Sequence, residues 1–115
     1  MKKIKIKPLS INEAWKGSRY KTNKYKAFER GLLFLLPQLK IPDQKLQLNL
    51  EFGFSNKGSD LDNPVKLVQD ILSKKYGFND NLIYRIVLDK VIVKKGDEYI
   101  KFEIVEHRDK NTKSL

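Results

Sequence analysis

The chain has 115 residues, a net charge of +10 at pH 7, 40% hydrophobic residues and no cysteine. That length bounds one domain, 1–115, with a modest core, and the hydrophobic share argues against wholesale disorder. The lack of cysteine excludes a disulfide framework and thiolate-bound zinc or iron–sulfur clusters, and no apolar run approaches the ~18 residues of a membrane span.

The N-terminus, Met1 to Lys7, starts like a signal peptide, but lysines interrupt any apolar stretch, so a cytoplasmic location is expected. Lysines alternating with Ile4 and Ile6 predict a half-buried edge strand over 2–7. Residues 8–20 carry few periodic cues. Ser10 and Glu13 have capping-box spacing, yet Gly17 would end any helix within two turns, so this stretch reads mostly as loop.

From Thr22 to Leu39 the spacing of Tyr25, Phe28, Leu32 and Leu36 predicts a helix, with Leu35 widening the apolar face and Pro37 weakening the last turn. Lys45 to Phe54 alternates: Leu46, Leu48, Leu50, Phe52 and Phe54 share one face of a strand whose other face is wet. A loop over 55–59 leads to a second helix, with Asn63 as N-cap, Pro64 at the first helical position and Gly77 at the left-handed end. Its core stripe is Val65, Val68, Ile71 and Leu72. Ile83–Lys94 and Tyr99–Val105 read as strands joined through residues 95–98 in a hairpin, and the polar tail, 106–115, is expected to fray. The order β-α-β-α-β-β predicts an α+β domain, with two helices packed on a mixed, largely antiparallel sheet.

Charge is uneven along the chain. Residues 1–26 hold nine Lys or Arg against one acid, Glu13, a stretch suited to a phosphate backbone or simply a lysine-rich surface. Within so basic a molecule, Asp60 and Asp62 stand one residue apart before the second helix. In an extended approach their carboxylates share one side, where a hard divalent cation could use them. The alternative is an N-cap cluster, since Asp and Asn are favoured caps. Lys66 opposes the helix dipole at a cost of ~0.3–1 kcal/mol, and it stands where it could reach back over those carboxylates to a phosphate. Asp80 follows the helix, either as a third acid or as a turn residue. A dozen helical residues span ~18 Å, so it meets Asp62 only if the chain folds back or the ligands meet across a dimer.

Together Asp60-Leu61-Asp62-Asn63-x-x-Lys66, the helix, and Tyr76-Gly77-Phe78-Asn79-Asp80-Asn81-x-Ile83 resemble the RusA family of Holliday junction resolvases. Pro8-Leu9-Ser10-Ile11-Asn12, followed by Trp15, Arg19 and Tyr20, is similar to that family's N-terminal loop, so the likeness covers roughly residues 4 to 105. The resemblance implies a bacterial, phage or prophage-encoded homodimeric endonuclease that nicks four-way DNA junctions in symmetric pairs. It further implies Mg²⁺, with Mn²⁺ as a substitute, and no small-molecule cofactor. Asp60, Asp62 and Asp80 would be the metal-binding acids and Lys66 the catalytic lysine. Many relatives carry two adjacent acids where this chain has Asn79-Asp80; Asp80 takes the role by its offset from Ile83, and Asn79 lacks the charge of a fourth acid.

Local charge nominates Lys16, Arg19, Lys21, Lys24 and Lys26 for DNA backbone contacts. A rival from another class is a non-catalytic DNA-binding phage accessory protein. A third is a nuclease of the restriction-enzyme type, superficially suggested by Pro42-Asp43-Gln44-Lys45, for which no separate upstream acid completes the set. His107 reads as a surface residue, and Trp15 as a core or dimer contact or a base-stacking wedge.

Overall fold

The computed structural model describes residues 1–17 and 20–108. Its main sheet has four strands: β1 (Lys2–Ile4), β4 (Leu46–Phe54), β5 (Ile83–Ile92) and β6 (Tyr99–Glu106), in the order β1-β6-β4-β5. β6 runs antiparallel to β1 and β4, and β5 runs parallel to β4, so the sheet is mixed. Two helices, α1 (Asn23–Leu35) and α2 (Val65–Tyr76), complete an α+β domain. A two-stranded ribbon, β2 (Trp15–Lys16) with β3 (Tyr20–Lys21), and 3-10 turns at Ile11–Glu13 and Asp80–Leu82 fill the connections. Among the described residues no helix is long and apolar enough to cross a membrane.

The central strand β4 buries Leu46, Leu48, Leu50, Phe52 and Phe54, every second residue as the alternation requires. From α1 the core receives Tyr25, Phe28 and Leu32, with Leu36 just beyond it; α2 supplies Leu67, Val68, Ile71 and Leu72. Two expected stripe residues differ: Leu35 is 45% exposed and Val65 is only half-buried, while Leu67 takes the buried place on α2. Thr22 caps α1, its Oγ1 accepting from Tyr25 N at 3.1 Å. That helix stops at Leu35 rather than Leu39. Leu36 precedes Pro37, whose ring drives its neighbour out of helical geometry, and Leu36 is extended at φ −67°, ψ 130°.

The expected hairpin is not formed. β5 and β6 flank β4 on opposite sides. The connection over 93–98 passes across the end of β4, and a gap of two strand spacings, ~10 Å, is easily crossed by six residues. Val93 N donates to the Phe54 carbonyl at 2.8 Å, and two further residues hold it there. Glu98, 8% exposed, accepts from Ser55 Oγ at 2.7 Å and from Gly96 N at 2.8 Å. The Tyr99 ring lies over Gly53, where any Cβ would overlap it. β5 then pairs with β4 through the α2 crossover, an ordinary βαβ unit.

Candidate functional site

Residues 55–64 carry the chain from β4 into α2. Asn56 organises the loop: its Oδ1 accepts from Gly58 N at 2.8 Å and its carbonyl from Ser59 N at 3.1 Å. Lys90 on β5 reaches across and donates to the Lys57 carbonyl at 2.9 Å and the Ser59 carbonyl at 2.5 Å. A charged residue on the core-facing parity of an Ile/Val strand is the sequence signal for that anchor.

Consecutive turns follow, with Asn63 N bonded to Asp60 O at 3.3 Å and Val65 N to Asp62 O at 3.2 Å. The expected Asn63 cap is therefore replaced. Pro64 is the N-cap residue and makes no side-chain cap bond, while Asn63 Nδ2 lies 3.5 Å from Asp60 Oδ2. Proline has no N–H to lose there, and the turn carbonyls already serve the helix start. Asp60 and Asp62 are both exposed, and neither forms an ion pair among the described residues.

Beyond α2 the chain folds back. Gly77 adopts the left-handed conformation (φ 71°), and Ser73 Oγ donates to the Phe78 carbonyl at 2.6 Å. Asn79 then caps the 3-10 turn through its Oδ1, which accepts from Asn81 N at 3.0 Å. Asn79 thus has a local structural use. This return brings Asp80 Oδ2 to 3.4 Å from Lys66 Nζ. The same ammonium donates to Asp70 Oδ1 at 2.8 Å, one helical turn on. Asp70 lies outside the acidic motif, and its sequence signal is the i,i+4 spacing from Lys66. The hydrogen bond to Asp70 is the main cause that raises the Lys66 pKa, with Asp80 adding to it against partial burial. The two acids also offset the unfavourable place of a lysine in the first helical turn.

The acids therefore fall into two groups: Asp60 and Asp62 on the entry turn, and Asp70 and Asp80 around Lys66. Among the described residues no three acid, histidine or cysteine side chains gather closely enough to hold a metal ion. Their chemistry nonetheless suits a hard divalent cation, which takes carboxylate oxygens and keeps several waters. Asp60 also lines a cleft of about 340 Å³. Lys7, Pro8, Ser10 and Glu13 from the N-terminal loop line the same cleft, as does Glu98. Hydrogen bonding, first from Ser55, holds the Glu98 carboxyl below the ordinary glutamate range.

The nominated basic residues have unlike surroundings. Lys16 and Lys26 are exposed, with no ion pair among the described residues. Lys21 Nζ lies 3.1 Å from Glu29 Oε2 and 5.0 Å from the Tyr25 ring centre, and Lys24 pairs with Glu13 at 3.6 Å. Arg19 lies outside the described residues. Trp15 packs edge-on against Tyr25 at 5.5 Å and remains 36% exposed. No protein-family model matches the chain, and no curated protein matches its sequence.

Proposed function

We propose that the chain is a metal-dependent endodeoxyribonuclease that acts on four-way DNA junctions as a homodimer, making one nick per subunit. The observation that carries this reading is the Lys66–Asp80 contact, 14 residues apart in sequence, on the helix that Asp60 and Asp62 introduce. It returns Asp80 to the helix that follows Asp60 and Asp62, a return that spacing alone left open. The +10 charge supplies the sequence-independent attraction to phosphate, and a two-fold dimer matches a two-fold junction.

In this reading Asp60, Asp62 and Asp80 would hold Mg²⁺. When bound, the ion supplies Lewis-acid chemistry, lowering the pKa of water and neutralising charge on the phosphate. Lys66 stays charged throughout the neutral range and orients the scissile phosphate, with Asp70 fixing the direction of its ammonium. Lys16 and Lys26 hold the backbone at the ribbon and on α1.

Two observations favour a second reading, a DNA-binding module without catalysis: three acids do not gather in one place among the described residues, and the Lys66 ammonium is already paired with Asp70 and Asp80. The discriminating experiment uses a synthetic four-way junction and a matched linear duplex, each with Mg²⁺ and then with EDTA. Paired symmetric nicks in the junction with Mg²⁺ alone support the nuclease. Tight junction binding that ignores EDTA, with no nicks in any tube, supports the module and refutes the nuclease.

A further inference from the structure

Among the described residues the sheet has two free edges of very different character. β1 is three residues long and carries exposed Lys2 and Lys3, a short charged edge of the kind that resists pairing. β5 is ten residues long, on the outer side of β4, and leaves Ile86, Val91 and Ile92 exposed by 37%, 37% and 43%. A long edge strand with exposed apolar side chains is a template for another strand, and its exposed Arg85, Asp89 and Lys90 restrict which strand can pair there. We propose that its occupant is β5 of a second copy, paired antiparallel about a two-fold axis through Val87 to form one eight-stranded sheet.

Charge selects that register. An axis normal to the sheet puts equivalent faces on the same side, so each pairing is centred on a residue. Arg85, Val87 and Asp89 share the face away from the helices, opposite Gln47, Asn49 and Glu51 of β4. Centring on Val87 sets Arg85 of each copy against Asp89 of the other, twice. Moving the axis to Ile86 or Leu88 leaves both charges opposite Val or Ile, and centring on Arg85 or Asp89 opposes like charges. Arg85 and Asp89 are exposed and form no ion pair within the described residues, so both are available for the seam. On the other face Ile86 meets Leu88. Ten strand residues run ~33 Å. With the exposed apolar side chains included, the seam reaches the order of 1,000 Å² expected of a specific interface.

The seam also touches the site, because Lys90 on this strand anchors the loop that leads to Asp60. This inference rests on the proposed reading only in naming where its homodimer forms. It is tested without DNA or metal, so the two can fail separately.

The experiment is Val87→Cys, clean because the chain has no other cysteine. Side chains on a two-fold axis between antiparallel strands stand within about 4.5–5.5 Å at Cβ, near disulfide reach. Oxidation should convert most of the protein into a covalent dimer, while Lys3→Cys on the opposite edge stays largely monomeric. Sedimentation should give wild type twice the chain mass. Arg85→Glu should raise the dissociation constant roughly ten- to hundredfold, and the exchange R85D/D89R should restore it. Circular dichroism checks that each variant is folded. A monomeric wild type, or a dimer indifferent to Arg85→Glu with Val87→Cys uncrosslinked, overturns the seam.

Discussion

Asp70→Asn removes the shorter of the two contacts that direct the Lys66 ammonium while leaving the ammonium in place. Lys66 and Asp70 side chains are 56% and 38% exposed, so water screens the pair and it contributes only ~0.3–0.5 kcal/mol. Domains near this size shift their melting point by ~4–8 °C per kcal/mol, which puts the variant about 1–4 °C below wild type. The effect on nicking should be larger. Deleting a donor aimed at developing charge typically costs ~10²–10³ in rate, and Asp70→Asn misdirects Lys66 rather than deleting it. A loss of about tenfold, or ~1.4 kcal/mol, is expected in kcat. KM should not rise, because an acid has been taken away from near phosphate. The pH profile supplies a separate readout. A lysine with a raised pKa keeps its charge until pH climbs through the folded value, so losing the Asp70 hydrogen bond should move the alkaline limb to lower pH. Single-turnover nicking of a labelled junction between neutral and alkaline pH measures both. Wild-type rates with an unmoved limb would refute the positioning role, and so would a drop in melting point beyond 10 °C, which would make Asp70 structural.

Three further outcomes are expected. Gly53→Ala should cost ~1–3 kcal/mol in urea unfolding through collision with the Tyr99 ring, and much less in a Tyr99→Leu background, because the two sites are coupled. Glu98 and Glu51 are held below the ordinary glutamate range by hydrogen bonds from Ser55 and Tyr99 respectively. The stability they contribute is present above that range and lost as pH falls through the folded values, so Glu98→Gln should flatten the acid side of a melting-point profile. Lys16→Ala and Lys26→Ala should each weaken junction binding in every sequence context and lower the salt slope by about one, while Lys21→Ala, already paired with Glu29, should do less.

Local periodicity made both helices and the central strand legible: Tyr25, Phe28 and Leu32, or Leu46 through Phe54, repeat at the spacing their element demands. The end of α1 was the less readable part, because it depends on how Pro37 restrains Leu36. Strand order was hidden for a different reason. Gly96 looked like a hairpin turn, but pairing was decided by contacts remote in sequence, chiefly Glu98 with Ser55 and Tyr99 over Gly53. At the candidate site, residue types nominated Asp60, Asp62, Lys66 and Asp80, and spacing could not say whether Asp80 returns to α2. The turn at Gly77 and the Ser73–Phe78 bond bring it back to Lys66. Glu98 at the cleft wall left no sequence trace, since its burial comes from the loop crossing β4.

The decisive measurement is single-turnover nicking of a four-way junction by Asp60→Asn, Asp62→Asn and Asp80→Asn, each at protein concentrations that saturate binding. Each substitution is predicted to abolish nicking in Mg²⁺ while junction affinity stays equal or rises. If all three variants nick at the wild-type rate, the acids serve only the turns in which they sit, and their assignment as the metal site is wrong; a wild type that binds the junction but makes no nick in Mg²⁺ contradicts the endonuclease account itself.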